Sequence, residues 1–242
     1  MPADAPTILA TSGGRRPGRY TRYEFGALSE FAIDLAGVVG RTPRVCLLAT
    51  AVGDDALTIG QFYDMARVRG VHGSHLLSFP MPNVADATAH LLDQDVVWVF
   101  GGSVAGLLAM WRLLGYEAAL HAAWQAGVVL TGVSAGSICW HSGGTTDSFG
   151  PDLRPITNGL GFVPYANGVH YDSEPQRRPL FQRLVASGAL PTGYATDDGV
   201  GLLYRGTEFV EAVTEVDGKG AYLVERGSDG SAIETRIEPR PL

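Results

Sequence analysis

The segment Val128–Trp140 reads VVLTGVSAGSICW, and its pattern predicts how this part of the chain folds. A strand-like apolar run ends at Thr131, the small residues of Gly132–Gly136 follow, and an apolar segment then resumes. A Gly-x-Ser-x-Gly sequence between a buried strand and a helix is typical of a nucleophile elbow, which would present Ser134 on a tight turn. The alternative is a glycine- and serine-rich turn without chemistry, which is common in α/β proteins, and the strand–turn–helix context favours the nucleophile.

Strand candidates alternate with helix candidates on the N-terminal side of this segment. The predicted strands are Thr7–Thr11, Arg44–Ala49, Ser74–Phe79, Val96–Phe100 and Val128–Thr131, and the predicted helices are Glu24–Ala36, Ala56–Arg69, Val84–Leu92, Val104–Leu114 and Glu117–Ala126. Near-continuous apolar strands separated by helices indicate a mostly parallel sheet that is covered on both faces. Ligands bind such sheets at the carboxyl ends of the strands.

The chain changes character after Trp140. Ser142–Asn167 is rich in glycine and proline and predicts a loop, and we predict short strands at Gly168–Tyr171 and Gly193–Thr196 with a helix at Pro179–Ala186 between them. The region from Val200 to the end contains short strand patterns and an Asp217-Gly218 hairpin signal. We interpret this tail as an antiparallel C-terminal extension, and we expect residues 1–242 to form a single α/β domain.

Composition excludes several functional classes. The 242 residues carry a formal net charge of −7 and no basic run, which argues against nucleic acid as a partner. No stretch of about 18 apolar residues predicts a membrane span, and the first residues lack the pattern of a secretory signal. Cys46 and Cys139 lie in apolar segments and are interpreted as reduced core thiols. We therefore expect a cytoplasmic protein, monomeric or homodimeric, with no membrane partner.

A serine nucleophile needs a general base and an acid that orients the base. Five of the six histidines lie on predicted helices or near their ends, whereas His170 follows a short apolar strand in ANGVHYDSEP. Asp197 and Asp198 end the next predicted strand, in GYATDDGVGLL, and only one of them need orient His170. We predict the triad Ser134, His170 and Asp198, whose order along the chain differs from the serine–acid–histidine order of α/β-hydrolase esterases.

Three segments between about Val96 and Leu203 resemble the peptidase E family of serine peptidases, which includes aspartyl dipeptidases and, more distantly, cyanophycinases. GVSAGSICW is similar to the serine elbow of that family, GVHYDSEP to its histidine segment and TDDGVGLL to the segment that supplies the acid. The resemblance implies a flavodoxin-like three-layer sandwich related to class I glutamine amidotransferases, and hydrolysis without metal or cofactor. Asp198 departs from the aspartyl dipeptidases, in which this acid is a glutamate.

Backbone N–H groups are expected to stabilise the oxyanion of acyl transfer. The residue after an elbow nucleophile supplies its own amide by geometry, which here is Ala135, and the glycine pair Gly101–Gly102 lies at a neighbouring strand end where backbone can approach closely. We expect a bulky substitution at Gly102 to reduce turnover far more than stability.

Charged residues near the predicted site leave two modes of substrate binding open. Asp147, Asp172 and Glu174 favour the free amino group of a short peptide. In the aspartyl dipeptidases an arginine downstream of the histidine grips the aspartate of the substrate, and Arg177 and Arg178 lie in that region here. The leading hypothesis is a serine dipeptidase or exopeptidase. The alternatives are a β-aspartyl isopeptidase of the cyanophycinase type and a catalytically silent binding module.

Overall fold

The computed structural model of the protein describes residues 3–242. The strands are β1 Thr7–Thr11, β2 Arg15–Pro17, β3 Tyr23–Phe25, β4 Arg44–Leu48, β5 His72–His75, β6 Val96–Val99, β7 Val129–Val133, β8 Gly143–Thr146, β9 Arg154–Ile156, β10 Ala166–Gly168, β11 Gly193–Thr196, β12 Val200–Arg205, β13 Glu208–Thr214, β14 Ala221–Arg226, β15 Ala232–Ile237 and β16 Arg240–Pro241. The helices are α1 Ala27–Leu35, α2 Ala56–Arg69, α3 Ala87–Leu92, α4 Val104–Leu114, α5 Tyr116–Gln125, α6 Ala135–Ile138 and α7 Arg177–Ser187, and Thr50–Val52 forms a 3₁₀ turn.

An eight-stranded sheet forms the centre of the molecule. Its strand order is β16-β13-β12-β1-β7-β6-β4-β5, and the run from β1 to β5 is parallel throughout. Helices α1 and α2 pack against one face and helices α3 to α6 against the other. This layering confirms the expected flavodoxin-like sandwich, and it arises because the strands β1, β4, β6 and β7 bury apolar side chains on both faces.

The C-terminal strands divide between two sheets, which the sequence did not predict. Strands β12 and β13 extend the central sheet in antiparallel fashion, as expected. Strands β14 and β15 instead join a second, six-stranded sheet of order β15-β14-β11-β10-β8-β9, against which α7 packs. Residues 142–167, predicted as a loop, supply two complete strands of this sheet and the first residues of a third. Short strands give no indication of which partner they will pair with, so the pattern could not separate the two sheets.

Two element boundaries differ from the prediction in ways that affect the site. Tyr23–Phe25 belongs to a two-stranded hairpin with Arg15–Pro17, so helix α1 starts at Ala27 instead of Glu24. Helix α6, after the predicted elbow, has only four residues. None of the helices described between residues 3 and 242 has the length and apolar character needed to cross a membrane.

Candidate active site

Ser134 lies on the sharp turn between β7 and α6. Its backbone has φ 57° and ψ −112°, a conformation that residues other than glycine seldom adopt. The neighbouring glycines permit the turn because a Cβ on Gly132 would lie 2.5 Å from the Gly136 carbonyl oxygen, and one on Gly136 would lie 2.3 Å from that of Val99. Such strain at a partly buried turn is typical of functional sites.

His170 lies two residues beyond β10, at the carboxyl end of that strand. Its φ of 54° makes it one of three non-glycine residues with positive φ in the described chain, together with Ser134 and Asp54. The Nδ1 atom of His170 lies 2.5 Å from Oδ1 of Asp198. A carboxylate at that nitrogen fixes the ring orientation and directs Nε2 elsewhere for proton transfer.

The two adjacent aspartates have different environments. Asp198 lies on the turn from β11 to β12, is half exposed and contacts His170. Asp197 is buried, and its Oδ2 accepts hydrogen bonds from the Gly220 N–H at 2.9 Å and the Tyr222 hydroxyl at 3.2 Å. Burial raises the pKa of Asp197, although the Gly220 hydrogen bond acts in the opposite direction. Asp197 therefore ties β11 to the start of β14.

Ser12 joins the two sheets beneath the site. Its hydroxyl lies 2.7 Å from the Thr196 hydroxyl and accepts a hydrogen bond from the His170 N–H at 3.2 Å. The adjacent Thr11 carbonyl accepts the Ser134 N–H at 3.0 Å. The end of β1 thus holds the backbones of both Ser134 and His170. The sequence offered a signal for Ser12, because it follows a predicted strand at the carboxyl edge where ligands bind.

The Ser134 hydroxyl makes no hydrogen bond to any residue in the described range 3–242, so the structure does not join it directly to His170. Hydrogen bonds between catalytic groups are often longer in free enzymes than with substrate bound. The contacts of Thr11 and Ser12 hold Ser134, at the end of β7 in the central sheet, close to His170, which follows β10 of the second sheet. The Nε2 atom of His170 also has no hydrogen-bond partner among the described residues.

The N–H groups of Gly101, Gly102 and Ala135 are free. No hydrogen bond described for residues 3–242 uses any of these three donors. Gly101 adjoins Ser134, because a Cβ at this position would lie 3.3 Å from the Ser134 Cβ. Unpaired backbone donors beside a strained serine are the groups that an oxyanion requires.

The structure does not support the expectation that a bulky substitution at Gly102 would leave the stability of the protein nearly unchanged. The φ of Gly102 is 136°, and a Cβ would lie 2.4 Å from the carbonyl oxygen of Ala51. A side chain at this position would therefore strain the backbone and displace the Ala51 turn, so that a loss of activity would not report on the oxyanion alone.

An acidic cleft opens between the loop after β8 and the segment before α7. It has a volume of about 490 Å³ and is lined by Asp147, Gly150, Pro151, Leu153, Ser173, Glu174, Pro175 and Gln176. Of the three carboxylates expected to hold a substrate amine, Asp147 and Glu174 line this cleft. Asp147 is exposed, and its side chain has no hydrogen-bond partner among the described residues.

Asp172, the third of these carboxylates, supports the turn that carries Asp198 instead. Its Oδ1 accepts the Asp198 N–H at 2.9 Å, and its Oδ2 is paired with Lys219. Burial alone would raise the pKa of Asp172, but the hydrogen bond from Lys219 and that from Asp198 lower it. An ionised Asp172 therefore fixes the turn that carries Asp198.

Neither arginine considered for substrate binding is free. Arg177 is buried, and its guanidinium donates to Glu174 at 2.7 Å and to the Thr145 carbonyl at 2.6 Å. Arg178 pairs with Glu234 and lies over the Tyr222 ring. Arg177 thus connects α7 to β8, and its assignment as a substrate anchor would require these contacts to break.

A metal ion and His141 are two alternatives for the chemistry of this site. Within residues 3–242, no three histidine, cysteine, aspartate or glutamate side chains come together in a way that would hold a metal ion. His141, seven positions after Ser134, is fully buried, with Nδ1 2.9 Å from the Ser137 carbonyl and Nε2 3.2 Å from the Tyr204 hydroxyl. It is a core residue, which its expected position near the end of a predicted helix did not indicate, because helix α6 already ends at Ile138.

A strained serine lies on a strand-to-helix elbow, with backbone amides beside it that no described residue uses and a histidine–aspartate pair where the second sheet meets the central sheet. These features define the class of serine hydrolases with a flavodoxin-like fold. Comparison with known proteins narrows this class. Residues 8–212 match the model of peptidase family S51, and the chain belongs to that family. The protein is accordingly a serine-type peptidase.

Individual relatives agree with this family. The chain is 38% identical over 182 residues to the uncharacterized peptidase YgaJ of Bacillus subtilis (strain 168), covering 75% of this chain and 78% of that protein. A crystal structure of a peptidase from an acI-B1 Actinobacterium superposes with a TM-score of 0.66 at 17% identity, covering 97% and 95% of the two chains. A putative peptidase E protein from Listeria monocytogenes EGD-e gives 0.60 at 16% identity, covering 86% and 98%. These two similarities concern the fold.

Proposed function

We propose that this peptidase hydrolyses short peptides through a Ser134–His170–Asp198 triad and an acyl-enzyme intermediate. The observation that carries the proposal is the 2.5 Å contact between His170 Nδ1 and Asp198 Oδ1, where the second sheet meets the end of the central sheet that carries the strained Ser134. Two positive-φ residues in one site are costly to fold, and strain of this kind persists where it presents side chains for chemistry.

The proposed reaction follows from these positions. His170 accepts the proton of Ser134 at Nε2 as the hydroxyl oxygen attacks the scissile carbonyl, and Asp198 stabilises the resulting imidazolium through Nδ1. The N–H groups of Ala135 and of Gly101 or Gly102 stabilise the oxyanion, with each donor contributing about 3 kcal/mol to the transition state. His170 then donates the proton to the leaving amine, and water hydrolyses the acyl-enzyme in the reverse sequence of proton transfers.

The acidic cleft supports binding of the peptide through its free amino group. Asp147 has no competing partner among the described residues, and Glu174 uses only Oε2 toward Arg177. An ammonium group paired with a partly desolvated carboxylate gains about 1.5–3 kcal/mol. A cleft of about 490 Å³ admits a short segment of peptide and excludes a folded protein.

Labelling and substitution test the nucleophile. A serine-directed fluorophosphonate should add one label to the wild-type protein, as read by intact mass, and none to Ser134→Ala. Turnover of dipeptides by Ser134→Ala should fall on the order of a millionfold, because loss of one triad member removes the function of all three. A variant that folds normally and keeps more than a tenth of wild-type activity would refute the assignment.

A substrate panel tests the mode of binding. A free dipeptide should be cleaved with a kcat/KM about 10- to 100-fold above that of its N-acetylated form, because acetylation removes the ammonium charge. Asp147→Asn should shrink this difference, and the surface substitution Asp152→Asn should leave it unchanged. Equal cleavage of free and acetylated peptides would exclude recognition of the amino end. Preferential cleavage of β-aspartyl-arginine would instead establish the isopeptidase activity.

A further inference from the structure

Arg15 is a partly buried cation without a carboxylate partner in the part of the chain that the structure describes. It is the first residue of β2, and its guanidinium carbon lies 4.7 Å from the ring centroid of Tyr23 and 4.5 Å from that of Phe100. Among the interactions of residues 3–242, none uses a side-chain N–H of Arg15 in a hydrogen bond or an ion pair. The next residue, Arg16, pairs with Glu24 at 3.1 Å.

The position of Arg15 connects it to the candidate active site. Phe100, whose ring the guanidinium covers, directly precedes Gly101, and a Cβ on Gly101 would lie 3.3 Å from the Cβ of Ser134. Arg15 therefore lies beside the loop that adjoins the nucleophile and supplies the proposed oxyanion donors.

The backbone around Arg15 is held in place. The preceding Gly14 donates its N–H to Glu215 Oε1 at 2.7 Å and accepts the Gly26 N–H at 2.8 Å. Arg15 itself pairs with Phe25 in the β2–β3 hairpin. A charged group fixed in this way is pre-organised for a ligand, because little freedom is lost when it binds.

The chemistry of the Arg15 guanidinium indicates which kind of ligand it could bind. Burial without a carboxylate lowers the pKa of Arg15, with the nearby Tyr23 acting in the opposite direction and Arg22 in the same one. The aromatic rings contribute cation–π contacts, which use the π faces and leave the N–H donors free. Five N–H donors in a planar fork match the two oxygens of a carboxylate.

We propose that Arg15 binds a carboxylate of the peptide substrate beside Ser134. This inference rests on the proposed peptidase function and deepens it, since it assigns the acidic group of the substrate to a residue outside the histidine segment. The carboxylate has two sources, the C-terminus of a short peptide and an acidic side chain. With the amine in the acidic cleft, either source makes the recognised ligand a short zwitterionic peptide.

Four dipeptides separate the two sources. The four are Asp-Ala, Asn-Ala and the C-terminal amides of both. The change from Asp to Asn removes the side-chain carboxylate, and amidation removes the terminal carboxylate, each independently of the other. The wild-type protein should prefer the acid in at least one of these comparisons by about 10- to 100-fold in kcat/KM. Arg15→Met should reduce that preference to less than about threefold, mainly through KM, because the contact is made before chemistry begins. Arg15→Lys should restore part of it.

Two controls separate loss of the carboxylate contact from general damage to the hairpin or to the nucleophile. Arg19→Met removes an exposed arginine of the same hairpin and should keep the wild-type preference. Fluorophosphonate labelling of Ser134 should proceed at the wild-type rate in Arg15→Met, since that reagent carries no carboxylate. A slower reaction would show a disturbed nucleophile and would overturn a role limited to substrate binding.

Binding measured without turnover separates this inference from the proposed reaction. Titration calorimetry on Ser134→Ala should give tighter binding of the preferred acid than of its neutral counterpart, and Arg15→Met in the same background should abolish the difference. That result supports Arg15 as the carboxylate-binding residue even if the wild-type protein hydrolyses none of the four peptides. Failure to hydrolyse them would defeat the proposed function but not the role of Arg15. An acid preference unchanged by Arg15→Met, or no preference in the Ser134→Ala protein, overturns the assignment of Arg15.

Discussion

At the scale of single residues, the adjacent pair Asp197 and Asp198 offers a direct test of the triad. Asp198→Asn should lower kcat/KM on the order of 10⁴-fold, because an amide cannot stabilise the imidazolium and favours the wrong tautomer of His170. Asp197→Asn should leave kcat/KM within about tenfold of wild type, because the new side-chain oxygen can still accept the hydrogen bonds from Gly220 and Tyr222.

The comparison is made with steady-state kinetics on one dipeptide and with urea unfolding to verify that both variants fold. Asp197→Asn serves as the matched control, because it changes the same chemical group one position away. A larger loss in Asp197→Asn than in Asp198→Asn would transfer the role of acid to Asp197.

The sequence predicted single residues best where a residue pattern requires one backbone geometry. The elbow at Ser134 was predicted from its flanking glycines, whose missing Cβ atoms permit the turn. The sequence could not distinguish Asp197 from Asp198, because the choice depends on which side chain faces the six-stranded sheet. Arg177 was considered for the binding site because the family resemblance implies an arginine downstream of the histidine, but its burial against the Thr145 carbonyl arises from tertiary packing.

At the scale of elements, the loop between β6 and α4 contains two glycines whose substitution should have different effects, one on catalysis and one on stability. Gly101→Ala should lower kcat/KM by about 10- to 100-fold, because its Cβ would crowd the Ser134 Cβ at 3.3 Å and shift the neighbouring donors. Gly102→Ala should instead lower the free energy of unfolding by about 1–3 kcal/mol, since φ is 136° and the Ala51 carbonyl blocks the new side chain.

Thermal unfolding and dipeptide kinetics of both variants measure these effects. The ratio of lost activity to lost stability should be higher for Gly101→Ala than for Gly102→Ala. The reverse ratio would show that Gly102, and not Gly101, is the glycine that faces the reacting atoms.

Elements were predictable from sequence where helices and strands alternate strictly. Strands β1, β4, β6 and β7 of the central sheet were found with their approximate bounds, because a strand that is buried on both faces is apolar throughout. The edge strand β5, His72–His75, was predicted at Ser74–Phe79, since its polar and partly exposed residues do not give that pattern. The hairpin of Arg15–Pro17 with Tyr23–Phe25 was missed, since charged and proline residues dominate it. It positions Arg15, so the least strand-like segment of the N-terminal half carries a proposed binding residue.

At the scale of the whole molecule, the two sheets meet where the proposed chemistry takes place. Ser12 at the end of β1 bonds to Thr196 and His170 of the second sheet, and the turn bearing Asp198 carries the chain from one sheet to the other. The sequence indicated the nucleophile's sheet but not the second one, because short strands do not specify their partners. The proposed triad would therefore be assembled by the contact between sheets, and its geometry would depend on the global fold.

The stability of the whole molecule should respond to pH through His141. Burial lowers the pKa of this fully buried ring to about 4, with the Ser137 carbonyl acting in the opposite direction. Because the unfolded histidine titrates near 6.5, the unfolded state binds a proton between about pH 6.5 and 4 that the native state excludes. Stability is therefore complete above about pH 6.5 and declines as pH falls toward 4, by about 3 kcal/mol from this group.

Urea unfolding of the wild-type protein and of His141→Gln at pH 7.5 and pH 4.5 tests this expectation. The difference at pH 7.5 measures the packing and hydrogen bonds lost with the ring, including the contact with Tyr204 at 3.2 Å. Between the two pH values the variant should lose about 2.5 kcal/mol less than the wild type, because glutamine does not titrate. Carboxylates such as Asp172 titrate in both proteins and cancel in the comparison. Parallel losses in the two proteins would show that His141 is protonated as easily in the native core as in the unfolded chain, which is incompatible with a ring enclosed between Ser137 and Tyr204.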